Sequence, residues 1–354
     1  MTGTTSKVLS TTFGTTPAGE IITEYQLQNA SGSFVKIINF GGIITQLHVP
    51  DKNGQLADVV LGFDNLEPYL EKSPYFGAII GRYGNRIANA CFQLRGQHYS
   101  LATNNGANNL HGGPIGFDKR VWQAETFIDA KGQGLRLHLL SQDGDQGFPG
   151  NLQVTVTYQF TDDNELIVDY FATTDQTTLV NLTQHSYFNL AARGDILQHQ
   201  MQIFADRIVD INNVQIPLGG LMRVENTPFD FRTPKTIGKD INQSHSQIAN
   251  GVGYDHTFVI NQSAYKVMTL AARVTEPSSG RVLEVLTEEP GVQFYSGNFL
   301  DGSLTGKGTT YHHRTGFCLE PQHYPDSPNQ TEFPSTILNP GEEYKTKTIF
   351  RFSV

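Results

Sequence analysis

Two-residue alternation restricts this chain more than any other feature. Across residues 152–160, Val154, Val156, Tyr158 and Phe160 fall on one side of an extended backbone, with Thr155, Thr157 and Gln159 on the other. Successive side chains of a strand point to opposite faces, so this pattern makes a half-buried antiparallel strand, whereas a helix would scatter the same residues round its circumference. Residues 135–140 and 165–173 read the same way, strand after strand. The composition agrees: 14 Tyr, 22 Phe and 35 Gly against a single Trp favour strands and turns over helices.

The rest of the chain follows suit. Residues 34–49 read as strand, bend, strand, broken at Gly41-Gly42, and Pro277-Ser278-Ser279-Gly280 joins residues 266–275 and 281–287 as a hairpin. Asp64-Asn65-Leu66-Glu67 has the form of a capping box and predicts a short helix through Lys72. Residues 206–232 and 242–253 read as long connecting loops, a kind of segment that tends to carry function. No internal repeat, low-complexity tract or charged linker interrupts the 354 residues. The expectation is one all-β domain over residues 1–354, a large antiparallel β-sandwich with few short helices.

A net charge of −9 and the lack of any Lys/Arg run argue against a nucleic-acid partner. No stretch approaches the ~20 apolar residues of a membrane helix, and residues 1–10 lack a charged segment leading into an apolar one. Cys91 and Cys318 have no metal-ligand spacing and read as reduced core thiols. A cytoplasmic protein is expected, monomer or homodimer, since no coiled-coil or interface signature fixes its assembly.

Polar chemistry collects in a few places. Read as a strand, residues 181–190 put Thr183, His185, Tyr187 and Asn189 on one face and Leu182, Phe188 and Leu190 on the other. A buried unpaired polar group costs about 1–3 kcal/mol, so such a row faces a wet cleft, a polar ligand or an internal hydrogen-bonded network. The loop Gly81-Arg82-Tyr83-Gly84-Asn85-Arg86-Ile87 carries two arginines suited to gripping acidic groups or hydroxyls, and equally suited to plain solvation. Asn104 begins a turn-rich loop that ends in His111-Gly112-Gly113. Asp255 follows a glycine-flanked turn, where an aspartate either holds hydroxyls or caps the turn locally.

Near the end of the chain, Phe317-Cys318-Leu319 leads to Glu320 just before Pro321, so an apolar strand delivers a carboxylate at its end. A desolvated Glu gains proton affinity and can act as a general base; the alternative is a carboxylate that pairs with an arginine or faces water. The adjacent pair His312-His313 splays to opposite faces in a strand, and Asp143-Gly144-Asp145 lacks the spacing of a calcium loop. No Gly-x-Ser-x-Gly, phosphate-loop or His-Glu-x-x-His pattern occurs.

In order along the chain, residues 81–87, Asn109-Leu110-His111-Gly112-Gly113, residues 181–190, Gly253-Tyr254-Asp255-His256, residues 290–295 with Gly297-Asn298, and Gly316-Phe317-Cys318-Leu319-Glu320 resemble the aldose 1-epimerase (galactose mutarotase) family. The similarity runs from about Phe13 to Val354. It implies a β-sandwich of the galactose mutarotase type, an isomerase acting on a small-molecule hexose such as D-galactose or D-glucose, and no cofactor or metal. Position by position, it implies Glu320 as general base and His185 as general acid. It likewise implies Asn85, Arg86, His111, Asp255 and, at a more variable position, Gln293 as sugar contacts; Tyr187 joins them from the polar row of residues 181–190. Tyr83-Gly84 and Pro321 depart from the family pattern, the first expected to alter the cleft wall and the second to stiffen the base. Two other readings carry the same cleft: a sugar-binding module without chemistry, and a sugar-phosphate epimerase, which would need more basic groups than Arg82 and Arg86.

Overall fold

The computed structural model describes residues 7–354; the first six residues, part of the stretch read above as lacking a leader, lie outside the described residues. Strand alternation translates directly into sheets. The alternating segments become the strands Gly132–Ser141, Leu152–Thr161 and Glu165–Thr174, which with Gln123–Asp129 before them form an antiparallel meander continued by Tyr344–Ser353, Val282–Thr287, Thr269–Thr275, Gln200–Ile203 and Lys235–Thr236 into a nine-stranded sheet. A six-stranded antiparallel sheet faces it, in the order Tyr187–Phe188, Phe317–Gln322, Gly291–Tyr295, Asp255–Ile260, Ala205–Ile211, Pro217–Arg223. A five-stranded meander from Leu9–Thr15 to Leu56–Asp58 completes the large sheets. The expected β-sandwich is the observed fold. Val156, Tyr158 and Phe160 from one sheet share a continuous core with Phe258, Val292, Phe294, Phe317 and Leu319 from the other, and that core runs from Val8 to Phe352. No helix among the described residues is long and apolar enough to cross a membrane.

Several expectations are corrected. Residues 206–232 are not one long loop but contain the strands Ala205–Ile211 and Pro217–Arg223, the latter at the sheet edge where Pro217 and Gly219-Gly220 are tolerated. Asp206, Arg207 and Asp210 break the apolar alternation there, which hid the strand from a pattern reading. Residues 242–253 contain a helix, Ser246–Gly251, whose first turn is capped by the His245 ring accepting from Gln247 N. The predicted helix is present as Glu67–Glu71, but Leu66 stands at its N-cap without a side-chain cap. Asp64 instead accepts the backbone N–H of Lys307 at 2.7 Å, a tertiary bond that outcompetes the local one. Cys318 is a buried free thiol, whereas Cys91 is only partly buried.

The largest departure concerns residues 181–190. They do not form one strand: Thr183–Gln184 pairs with Ile79–Ile80, and Tyr187–Phe188 pairs with Phe317–Cys318 in a different sheet. The chain changes sheets at His185-Ser186, so the expected polar row is split. His185 and Tyr187 still stack side by side, rings 5.2 Å apart. Asn189 turns away to donate to the carbonyls of Arg193, Gly194 and Thr315.

Arg82 shows how the adjoining loop is fixed. Its guanidinium is buried and donates to the carbonyls of Ser141, Gln142, Pro149 and Gly150 and to the hydroxyls of Ser141 and Thr178, at 2.7 to 3.3 Å. It therefore staples three chain segments rather than gripping a ligand. Tyr83 is likewise buried, donating to Tyr324 O and accepting from Ser327 N, in a cluster with Ile87, Phe92 and Phe148; it does not alter the cleft wall. Replacing Arg82 with Met should lower the unfolding free energy by about 3 kcal/mol, because several buried acceptors lose their donor at once. Urea denaturation checks this, and a loss under about 1 kcal/mol would show that the staple matters little.

Candidate active site

Antiparallel register sets the floor of the site. Phe317 and Leu319 point into the core, which turns Cys318 and Glu320 to the opposite face. Across the ladders, Glu320 lies opposite Gln293 and Gln293 opposite Thr257; Tyr187 lies opposite Cys318, Cys318 opposite Tyr295, and Tyr295 opposite Asp255. One face of the sheet thus carries Tyr187, Asp255, Gln293, Tyr295 and Glu320 together. The strand does not end at Glu320 as expected: it continues to Gln322, with Pro321 opposite Val292. Only Phe317 and Cys318 are paired on the other side, so Pro321 sits where a missing N–H costs little. Asp255, expected in a turn, is the first residue of its strand.

Two loops close the other side. His111 N donates to Asn85 O and Asn85 N donates back to His111 Nδ1, both at 3.0 Å, while Arg86–Ile87 pairs with Asn109–Leu110. A Cβ on Gly112 would lie 2.1 Å from Gly81 O, so this approach requires glycine. The resulting cleft, about 400 Å³, is lined by all eight residues singled out from the sequence: Asn85, Arg86, His111, His185, Tyr187, Asp255, Gln293 and Glu320. Tyr75, Tyr295 and Phe299 also line it and were missed. Alternation from Gln293 would have found Tyr295. Tyr75 sits in a turn with φ of 66° and carries no sequence signal, yet its ring packs on both His111 and His185. His312 and His313 are exposed and lie elsewhere.

His185 Nε2 lies 3.6 Å from Glu320 Oε2, and that oxygen has no hydrogen-bond partner among the described residues. Burial raises the proton affinity of Glu320 well above the usual carboxylate range, with the charge of Asp255 adding to the effect and Arg86 opposing it. Burial pushes the His185 imidazolium the other way, to a pKa of about 4. Asp255 is also raised by burial, but it is held by Gln215 and Gln293, whose amides donate to its two oxygens at 2.8 and 2.6 Å. The floor therefore holds two buried carboxylates in opposite circumstances, one clamped and one free.

The matching atoms of His111, His185 and Glu320 lie within 4.8 Å of one another, a spacing that invites a metal. The donor set argues otherwise. His111 Nδ1 accepts the Asn85 N–H, so its proton sits on Nε2, which makes that atom a hydrogen-bond donor and not a ligand. Burial lowers the His111 pKa well below the ordinary 6.5, which keeps the ring neutral.

The sequence profile of the aldose 1-epimerase family matches residues 23–351. The chain belongs to that family. A galactose mutarotase from Bos taurus is 48% identical over 346 residues, 97% of each chain. Among solved structures, an aldose epimerase homologue from C. elegans superposes with a TM-score of 0.86 at 30% identity, covering 93% of this chain and 98% of its own. A galactose 1-epimerase from Lactobacillus acidophilus gives the same TM-score, 0.86, at 27% identity and 98% coverage of both chains. For this member of the family, long-range ¹⁵N NMR should find His111 protonated at Nε2 and bare at Nδ1 between about pH 5 and 8. Protonation of both nitrogens in that range would contradict the bond from Asn85.

Proposed function

We propose that the cleft interconverts the α and β anomers of hexoses such as galactose and glucose, with Glu320 as general base and His185 as general acid. The observation that carries this reading is the pair itself: an unpartnered carboxylate oxygen 3.6 Å from an imidazole nitrogen, both buried on one cleft wall. Two groups so spaced can each reach one of two oxygens that share a carbon, as the anomeric and ring oxygens do. Glu320 takes the proton from the anomeric hydroxyl while His185 protonates the ring oxygen, and the C1–ring oxygen bond breaks to leave an aldehyde. Rotation about C1–C2 presents the other carbonyl face. His185 then recovers its proton as the ring oxygen attacks, and Glu320 returns the first proton, so the protein ends as it began.

The same pair explains its own charge state. Burial favours neutral forms of both groups, so one proton is shared between them, and moving it from Glu320 to His185 makes the form that reacts. The guanidinium of Arg86 lowers the proton affinity of Glu320 and favours that form. Asn85, Arg86, His111, Asp255, Gln293 and Tyr187 line the same cleft and are read as sugar contacts that hold the open chain until it recloses. A phosphorylated sugar is not favoured: such a reading needs more basic groups than Arg82 and Arg86, and Arg82 is committed to backbone carbonyls away from the cleft. The core running from Val8 to Phe352 supports reading the chain as one domain.

Polarimetry of freshly dissolved α-D-glucose and α-D-galactose tests the assignment. Glu320→Gln should cut kcat by at least roughly 10²-fold with the fold intact, and His185→Asn by a similar factor. An effect of His185→Asn confined to KM would move that residue from chemistry to binding. The pair must hold one proton, so kcat should follow a bell in pH. Its acid limb should fall near pH 4, where His185 and Glu320 both become protonated, and its upper limb should lie well above the usual carboxylate range. A kcat that is flat through pH 4 to 5 in the wild type, and unchanged in shape in Glu320→Gln, would remove the pair from the reaction.

A further inference from the structure

The hairpin tip between Ala205–Ile211 and Pro217–Arg223 sends one side chain toward the site. Gln215 accepts from Arg86 Nη2 through Oε1 and donates to Asp255 Oδ2 through Nε2, the latter at 2.8 Å. It does not line the cleft itself; it stands behind two residues that do. We propose that Gln215 is a positioning residue that keeps Arg86 and Asp255 apart and aimed at the sugar, an inference that rests on the sugar-binding roles given to them above.

Hydrogen-bond polarity supplies the reason. A guanidinium only donates and a carboxylate only accepts, and left alone the two form a fork with parallel bonds that occupies both carboxylate oxygens. A primary amide is a neutral group that offers an acceptor to one and a donor to the other. With Gln215 between them, the charges meet through a dipole, and each keeps capacity to spare for hydroxyl groups. The second oxygen of Asp255 is held in the same way by Gln293, whose own carbonyl accepts from Thr257 Oγ1 at 2.6 Å. Arg86 is steadied at its other end by Asn105 Oδ1 at 3.1 Å.

The tip is built to hold this position. Gln215 has a φ of 62°, in the left-handed region, and its N–H donates to Asn212 O. The Asn212 side chain accepts from both Val214 N and Ile216 N at 3.0 Å. Beneath the tip, Gln247 bonds both the N–H and the carbonyl of Ile211, and Asn250 bonds the carbonyl again. The helix that carries Gln247 and Asn250 thus braces the hairpin against the site.

Steady-state polarimetry on Gln215→Ala, Gln215→Glu and Asp255→Ala, with thermal melts on each, tests the bridge. In Gln215→Ala, Arg86 is free to close on Asp255, so KM should rise roughly tenfold or more while kcat stays within about threefold and Tm within about 2 °C. Gln215→Glu adds a signature that a purely structural residue would not give. Near about pH 5 a proton shared between Glu and Asp255 replaces the amide donor, and KM should lie close to that of the wild type. By about pH 8 two carboxylates face each other, and the ratio of its KM to that of the wild type should climb at least roughly tenfold. A KM within twofold of the wild type in Gln215→Ala, a loss of kcat that tracks a lowered Tm, or a flat KM ratio in Gln215→Glu would overturn the bridge. Those outcomes count against Gln215 alone if Asp255→Ala does raise KM. An unchanged KM in Asp255→Ala would instead remove the sugar-binding reading, and the bridge with it.

Discussion

The register of three adjoining strands, Asp255–Ile260, Gly291–Tyr295 and Phe317–Gln322, is the constraint on which the cleft depends. A slip by one residue would exchange Glu320 for Leu319 and Gln293 for Val292 or Phe294, turning the polar face into the core. Burying a large apolar side chain is worth about 1.5–3 kcal/mol, and five such residues on these strands, Phe258, Val292, Phe294, Phe317 and Leu319, are sealed in the sandwich. Alignment of the site is therefore paid for by the opposite face of the same strands. A buried pair, His323 Nδ1 and Glu289 Oε2 at 2.6 Å, ties the end of the last strand to the turn ahead of the middle one and pins the register again.

A polar floor inside a β-sandwich is costly unless its groups are satisfied. Most are: Asp255 receives two amide donors, Gln293 receives the Thr257 hydroxyl, and His111 receives a backbone N–H. Glu320 Oε2, fully buried, lacks a partner among the described residues. Similar burial with different partners sets the two carboxylates apart, Asp255 clamped by two amides and Glu320 left able to take a proton. The aromatic rings of Tyr75 and Tyr187 pack against His185 and hold its plane without offering it a charge.

What could be read from the amino-acid order varied with the kind of signal. The strands at residues 135–173 were legible because apolar side chains dominate one face, without interruption over residues 152–160, and the face of Glu320 was legible because Phe317 and Leu319 bracket Cys318. Ala205–Ile211 was not, because Asp206, Arg207 and Asp210 interrupt the pattern in a strand whose pairing is decided by its neighbours. The row on residues 181–190 failed for another reason. Alternation assumes an unbroken strand, and this segment changes sheets at His185, which sends Asn189 to staple a loop. Arg82 and Arg86 look alike in the sequence, four residues apart, yet one is a buried staple and the other faces the cleft.

By itself the sequence determined the β-sandwich class and eight of the residues that meet in the cleft, since alternation and motif order are local properties that survive any detail of packing. Only the tertiary structure decided how those residues are related. It set the 3.6 Å between His185 and Glu320, the lone pair of His111 engaged by Asn85, and the amide of Gln215 between Arg86 and Asp255. Each of these joins segments 26 to 135 residues apart, or 40 in the case of Gln215 and Asp255. No local pattern records such a meeting, because it is the sheets and the core behind them that bring distant side chains to one place.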